Sequence, residues 1–209
     1  LGVEIERKMG EIELHFSPDD TSERWVVLSQ KADDSIAAKN LLDDFEILRK
    51  LKRSALVSLA IPLDAVHSDG LLFAYLPTQH KIGMPIHLNA DFFPHSSRQE
   101  IVLKGEGHER HWNEALIFAA AAILGENLEF IRNMLGHARL WQVGADAFKL
   151  RNEGAFGAFW TQFSAAARAT ASVWTVAETW EHPGSIHMPA ESLTVNEQAA
   201  LSSLDFALI

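Results

Sequence analysis

Residues 115–125 (ALIFAAAAILG) restrict more than any other segment what this chain can fold into. These eleven residues include no charged side chain, so a helix formed from them is apolar on all sides. A helix of that kind either lies inside a protein core or spans a membrane. Spanning a bilayer takes about 20 apolar residues, and this stretch is shorter and is flanked by polar residues. It is therefore predicted to be a helix that other parts of the chain enclose.

Patterns typical of β-strands precede this helix. Residues 11–16 alternate between polar and apolar side chains, and residues 25–30 (WVVLSQ) are rich in strand-forming types. Residues 55–62 form an apolar run that ends at a proline, and residues 71–76 follow a turn that contains glycine. Because only the loop 64–70 separates the last two segments, they are predicted to be neighbouring strands of one hairpin.

Helical patterns predominate after residue 112. Residues 172–189 are the exception, with the pattern of a strand, a turn and a second strand. The arrangement predicts an α+β fold with a mixed sheet and packed helices over residues 1–150, followed by a hairpin-plus-helix segment over 151–209. The predicted helices are 35–52, 112–124, about 126–140, 145–168 and 195–208.

Composition limits the kinds of function. The chain has 18 basic and 28 acidic residues, a net charge of −10, which disfavours a protein that neutralises nucleic-acid backbones. It has no cysteine, so it forms no disulfides or thiolate metal sites, as is typical of cytoplasmic proteins. It begins without Met or a leader pattern, and we expect it to be a piece of a longer protein with no membrane segment.

A constrained segment, residues 81–101 (KIGMPIHLNADFFPHSSRQEI), presents a single arginine. It runs from Gly and Pro into a short strand ending at Asn89, and then through Phe92–Phe93 and Pro94 to Arg98. A solvated surface charge needs no such support, but an arginine that binds an anion must be held in place. We therefore consider Arg98 a candidate anion-binding residue, with Phe92–Phe93 and Pro94 forming the base of its loop.

Spaced motifs extend over residues 55–117, and together they resemble the region after the ATPase domain of sacsin-like proteins. Sacsin-like proteins belong to the GHKL superfamily of ATPases, with DNA gyrase, the ninety-kilodalton heat-shock chaperone, histidine kinases and MutL. The positions that match the family pattern are Pro62, Leu63, Gly70, Phe73, Leu76, Pro77, Gly83, Pro85, His87, Asn89, Phe93, Arg98, Trp112 and Asn113. Two positions depart from it: Ala90 replaces a common glycine, and Gln99 replaces a second arginine.

The resemblance implies a transducer (middle) domain. In the heat-shock chaperone, an arginine on a catalytic loop of this domain reaches the γ-phosphate of ATP. The match assigns that role to Arg98. On chemical grounds, we expect Asn89 to brace the loop by bonding its backbone and Gln99 to orient a water. The Asn box, Asp-x-Gly-x-Gly turn and Gly-rich lid of the nucleotide domain are missing here, so ATP and Mg²⁺ are expected to bind only in the full-length protein. The implied partners are the N-terminal ATPase domain of the same chain and a protein client.

Other interpretations stay open. Transducer domains also bind clients, so the alternative is a protein-interaction scaffold without a catalytic role, in which Arg98 is only a solvated loop residue. The sequence GHERH offers a further alternative, because His108 and His111 lie three residues apart. With Glu109 and Asp91 they form the candidate ligands of a metal hydrolase. We weigh this metal site as the least favoured of the three.

Overall fold

The computed structural model describes most of the chain up to residue 167 and several short segments beyond it. No helix within that part is long and apolar enough to cross a membrane. The described residues are 7–16, 21–32, 36–64, 69–149, 154–167, 173–175, 179–181, 185–187 and 207–208.

A six-stranded mixed sheet forms one layer of the molecule. Its strands follow the order β1-β2-β3-β6-β4-β5, and all neighbours are antiparallel except β6 and β4, which are parallel. The strands are β1 Arg7–Phe16, β2 Thr21–Lys31, β3 Leu56–Pro62, β4 Leu71–Ala74, β5 Leu76–Lys81 and β6 His87–Ala90.

Helices form the second layer, and the α+β class is confirmed. They are α1 Ile36–Asp44, α2 Glu46–Lys50, α3 His108–Glu126, α4 Leu128–Leu135, α5 His137–Lys149 and α6 Gly154–Ala167. Among the residues described after α6 are four short strands: β7 Val173–Trp174, β8 Trp180–Glu181, β9 Ile186–His187 and β10 Ala207–Leu208. The antiparallel pair β7–β8 lies within the predicted hairpin.

The buried helix predicted from residues 115–125 is the centre of α3. This helix packs against β3 of the sheet and against the helices α1 and α6. The phenylalanines of α6 lie in the same core, so α6 shares the packing of the sheet although it follows the predicted boundary at residue 150. The buried residues of α3 are Trp112, Asn113, Ala115, Leu116, Ile117, Ala119, Ala120, Ala121, Ile123, Leu124 and Gly125.

The predicted hairpin of residues 55–62 and 71–76 is wrong in its pairing. Both segments contain strands of one sheet, but β6 lies between β3 and β4. The reason is apolar burial: β6 places Leu88 opposite Leu59 and Ala90 opposite Val57, and so continues the buried face of β3. Tertiary packing thus overrides the preference for pairing strands that are close in sequence.

Helix boundaries also differ from prediction. The helix expected at 35–52 is interrupted at Phe45, and the one expected at 126–140 is interrupted at Gly136, whose φ of 78° is left-handed. The helix expected at 145–168 is divided between α5 and α6. Most of the helix predicted at 195–208 lies outside the described residues. The two residues of it that are described, 207 and 208, form β10, which pairs in parallel with β9.

Gly70 allows β4 to lie close to the segment before β6. Its NH donates to the Met84 carbonyl at 2.8 Å, and its carbonyl accepts from the Ile82 NH at 2.9 Å. A Cβ on Gly70 would lie 1.8 Å from the carbonyl oxygen of Ile86, which is backbone and cannot rotate away. Only glycine therefore fits at this position without displacing β4.

We expect Gly70→Ala to lower the free energy of unfolding by about 3 kcal/mol, because the added methyl group overlaps a main-chain oxygen. Gly144→Ala is the matched control: Gly144 lies in α5, and its Cβ would have open space. That change should be neutral or stabilising by up to about 1 kcal/mol. Urea unfolding followed by circular dichroism measures both. Equal stability of the two variants would contradict the close approach at Gly70.

Candidate functional site

Arg98 lies on a β-hairpin between β6 and α3, formed by residues 93–102 and called here the Arg98 loop. The Val102 NH donates to the Phe93 carbonyl at 2.9 Å, and the His95 NH donates to the Glu100 carbonyl at 2.8 Å. Pro94 and Ile101 form a β-bridge between these bonds. The Arg98 NH donates to the His95 carbonyl at 2.8 Å and closes the turn. The loop is therefore an ordered hairpin with Arg98 at its tip.

The backbone of Arg98 is left-handed, with a φ of 56°. Glycine or asparagine suits this conformation, and for other L-residues it costs roughly 1–2 kcal/mol. The side chain is exposed. Within the described part of the chain, its guanidinium makes no hydrogen bond or ion pair. An unfavourable backbone position thus carries a guanidinium that is open to an incoming anion.

Asn113 holds the base of this loop from within α3. The residue is fully buried, and its Oδ1 accepts from the Phe93 NH at 2.8 Å. Its Nδ2 donates to the carbonyls of both Phe93 and Val102, each at 2.9 Å. One side chain thereby joins the two strands of the hairpin and bonds to three half-buried main-chain groups. This role of Asn113 was not predicted from the sequence, although a polar residue next to an apolar helical run is a signal for it.

Asp91 and Arg53 provide a second support. The buried Trp112 donates its indole NH to the Asp91 carbonyl at 2.9 Å. The Asp91 carboxylate forms an ion pair with Arg53 and also accepts from the Ser54 NH at 3.0 Å. The Arg53 guanidinium lies 3.8 Å from the centre of the Phe93 ring. The ring and the main chain of Phe93 are therefore both held, as expected for the base of the loop.

Asn89 does not bond to the Arg98 loop in the way that the sequence analysis expects. It lies in β6, and its Oδ1 accepts from the Tyr75 NH at 3.3 Å, at the turn between β4 and β5. The bracing assigned to Asn89 is made by Asn113 instead. Gln99 is exposed, and its carbonyl accepts from the Gln79 NH of β5 at 2.8 Å. The main chain next to Arg98 is thus also tied to the edge of the sheet.

The histidines proposed as metal ligands make aromatic contacts. The rings of His108 and His111 lie 6.2 Å and 5.9 Å from that of Phe45. Asp91 is engaged by Arg53. Among the residues that the structure describes, no group of three or more His, Cys, Asp or Glu side chains is arranged to hold a metal ion. The hydrolytic metal site considered from the sequence is therefore not supported.

The arrangement can present one positive charge, with directed NH donors, to a phosphate or carboxylate oxygen. The other residues at the tip are Ser96, Ser97, Gln99 and Glu100, which carry hydroxyl, amide and carboxylate side chains. No family model, curated protein or solved structure matches this chain.

We expect Asn113→Ala to destabilise the protein by about 3 kcal/mol, because the Phe93 NH and the Val102 carbonyl lose their partner and the Phe93 carbonyl keeps only the Val102 NH. Asn89→Ala removes one exposed bond and should cost less than about 1 kcal/mol. Urea unfolding gives both free energies, and amide exchange at Val102 reports on the loop directly. Exchange at Val102 should rise in Asn113→Ala alone. A larger effect of Asn89→Ala on Val102 would reverse the assignment of the brace.

Proposed function

We propose that this chain is the transducer (middle) region of a sacsin-like, heat-shock-chaperone-like ATPase, and that Arg98 contacts the γ-phosphate of ATP held by an N-terminal ATPase domain of the same parent chain. The observation that carries the proposal is the left-handed backbone of Arg98 on a firmly held hairpin. The sequence resemblance over residues 55–117 supplies the family.

The unfavourable backbone at Arg98 supports a role for its side chain. Glycine would adopt the same φ without strain, so fold stability alone does not favour arginine at this position. Strained residues that persist in well-supported surroundings are found at functional sites more often than elsewhere. The support here comes from Asn113 and Trp112 on α3 and from Gln79 on β5.

The chemistry of the proposed role follows from charge. Phosphoryl transfer spreads negative charge over the oxygens of the γ-phosphate, and a positioned guanidinium stabilises that charge. ATP and Mg²⁺ are held by the N-terminal domain in this proposal, so this chain adds only Arg98 and, beside it, Gln99 to orient the attacking water. Because the hairpin is already ordered, little reorganisation is needed when the domains meet.

The same contacts suit a relay of nucleotide state. Asn113 joins the Arg98 loop to α3, and α3 packs against both the sheet and α6. A displacement of the Arg98 loop would therefore act on α3 and on the elements that pack against it. We propose a protein client as the recipient and the cytoplasm as the location. The net charge of −10 disfavours a nucleic-acid partner.

A protein-interaction scaffold without catalysis is the second candidate. The exposed apolar residues at the β4–β5 turn favour it, since Tyr75 is 69% and Leu76 is 60% exposed. Exposed aromatic and aliphatic side chains next to each other are typical of docking surfaces. The two candidates differ in one measurable respect, which is whether ATP turnover depends on the guanidinium of Arg98.

In the parent protein we expect Arg98→Gly to lower kcat for ATP hydrolysis by about 10–100-fold, with nearly unchanged nucleotide affinity, because the guanidinium acts on charge that develops in the transition state. Glycine is the preferred replacement since it accepts the left-handed backbone. Arg98→Lys should recover little activity, because lysine keeps the charge and loses the paired donors. Steady-state turnover and equilibrium nucleotide binding measure these effects.

Lys104→Ala is the matched control, since Lys104 is an exposed cation on the same connection between β6 and α3. It should leave kcat unchanged. Full turnover by Arg98→Gly would overturn the catalytic assignment and favour the scaffold.

The chain of residues 1–209 alone should bind no ATP, because the resemblance places the adenine pocket and the metal-holding asparagine in another domain. Isothermal titration calorimetry with Mg²⁺–ATP measures this directly. The protein concentration should be above roughly 50 μM, so that micromolar to millimolar affinity is detected. Micromolar binding would contradict the transducer assignment, and it would require a nucleotide pocket within this sequence.

A further inference from the structure

The β4–β5 hairpin is attached to the sheet by few main-chain pairs. β4 pairs with β6 at only two positions, Leu72 with Leu88 and Phe73 with Asn89. β5 is the last strand of the sheet, and its outer edge meets the Arg98 loop through Gln79. A hairpin with so short a parallel ladder depends on additional bonds for its position.

Two side chains of β6 supply such bonds at the two ends of β4. The Leu71 NH donates to Nδ1 of His87 at 2.9 Å, and the Tyr75 NH donates to Oδ1 of Asn89 at 3.3 Å. His87 and Asn89 are two residues apart in β6 and therefore lie on the same face of the strand. They act as a pair of side-chain acceptors that extends the ladder on either side of its two main-chain pairs.

The His87 ring is also packed between aromatic rings. Its centre lies 5.1 Å from that of Trp25 on β2 and 5.4 Å from that of Phe73 on β4. The Leu71 NH occupies the lone pair of Nδ1, so the neutral ring carries its proton on Nε2. Adding a proton to Nδ1 would break the bond to Leu71, because two NH groups would then face each other. This loss acts against the attachment of β4.

We propose that His87 is a pH-sensitive clamp, which holds the β4–β5 hairpin to the sheet while neutral and releases it when protonated. The release concerns the hairpin and, through Gln79, one strand of the Arg98 loop. The proposal is independent of any role for Arg98 in ATP hydrolysis.

The sign of the pH effect follows from the surroundings of His87. Burial is the largest influence on the pKa of His87 and lowers it, and the charge of Glu23 on β2 raises it by less. The Leu71 NH bonds only to an unprotonated Nδ1, so on chemical grounds this bond also favours the neutral ring. The opened hairpin leaves the ring in water with an ordinary pKa near 6.5, so the open state binds more protons. The clamp is therefore at full strength above about pH 6.5 and weakens as the pH falls below that value.

A second histidine on the hairpin must be separated in the experiment. His80 lies in β5 against Phe156 of α6, and burial lowers its pKa while the charge of Glu100 raises it. Its ring bonds to no main-chain group of β4 or β6 among the described residues. The variant His80→Asn therefore tests whether the effect belongs to His87.

The test is amide hydrogen exchange at Leu71 in the intact chain, at pH 7.5 and pH 5.0, corrected for intrinsic exchange rates. We expect protection of the parent protein to fall by about 10- to 30-fold at the lower pH, the limit set by one group with an open-state pKa near 6.5. In His87→Asn the fall should be absent, because the amide oxygen replaces Nδ1 as acceptor and does not titrate. His87→Phe should be poorly protected at both pH values, since it keeps the ring and loses the acceptor.

His95→Asn, at an exposed histidine of the loop tip, and His80→Asn should both retain the fall. Equal protection of Leu71 at the two pH values in the parent, or a fall that persists in His87→Asn, would overturn the proposal. If the His87 variants do not fold, ¹⁵N shifts of the parent imidazole decide instead. They should indicate an Nε2–H tautomer with an apparent pKa below 6.5, and an Nδ1–H tautomer or a higher pKa would equally overturn it.

Discussion

The burial of α3 is the constraint on which the rest of the structure depends. A helix that is apolar on every side has to be covered all round, and β3, α1 and α6 provide that cover. Its first turns, from His108, lie nearer the surface, and Trp112 and Asn113 are the first fully buried residues. The position where α3 enters the core is therefore also the position where the Arg98 loop is attached. Stability and loop geometry share the same two residues.

Side chains replace main-chain ladder bonds at the places where the sheet is irregular. Asn113 bridges the two strands of the Arg98 loop, and His87 and Asn89 hold the ends of β4. Each acceptor or donor satisfies a main-chain group that would otherwise lose a partner. This explains why the matching positions of the sequence motif are polar in segments that are otherwise apolar. The contacts of His87, Asn89 and Asn113 account for these positions through the fold, and Arg98 is the polar matching position whose side chain has no such account among the described residues.

Local patterns predicted the elements well and their pairing poorly. The first two strands, β3 and the centre of α3 follow from periodicity, because one face or the whole element is apolar over several residues. The position of β6 between β3 and β4 could not be predicted from periodicity, because the four residues of β6 are too few for a distinctive pattern. The pairing depends instead on the contact of Leu88 and Ala90 with β3. Asn113 was not identified as the brace for the same reason: its partners, Phe93 and Val102, are up to 20 residues away in sequence.

Three residues other than glycine have a left-handed backbone, among those described: Lys52, Tyr75 and Arg98. Two of them have a structural reason. Lys52 directly precedes Arg53 and turns the chain after α2 so that Arg53 reaches Asp91, and the Tyr75 NH at the bend between β4 and β5 is held by Asn89. The free-energy cost of each left-handed backbone is therefore offset by the bonds that it makes possible. The turn at Arg98 is closed by a main-chain hydrogen bond alone. Any residue that tolerates this φ could make the same bond, so the contribution of the arginine lies in its side chain. This difference between Arg98 and the other two residues is the reason to consider the Arg98 loop a candidate anion-binding site.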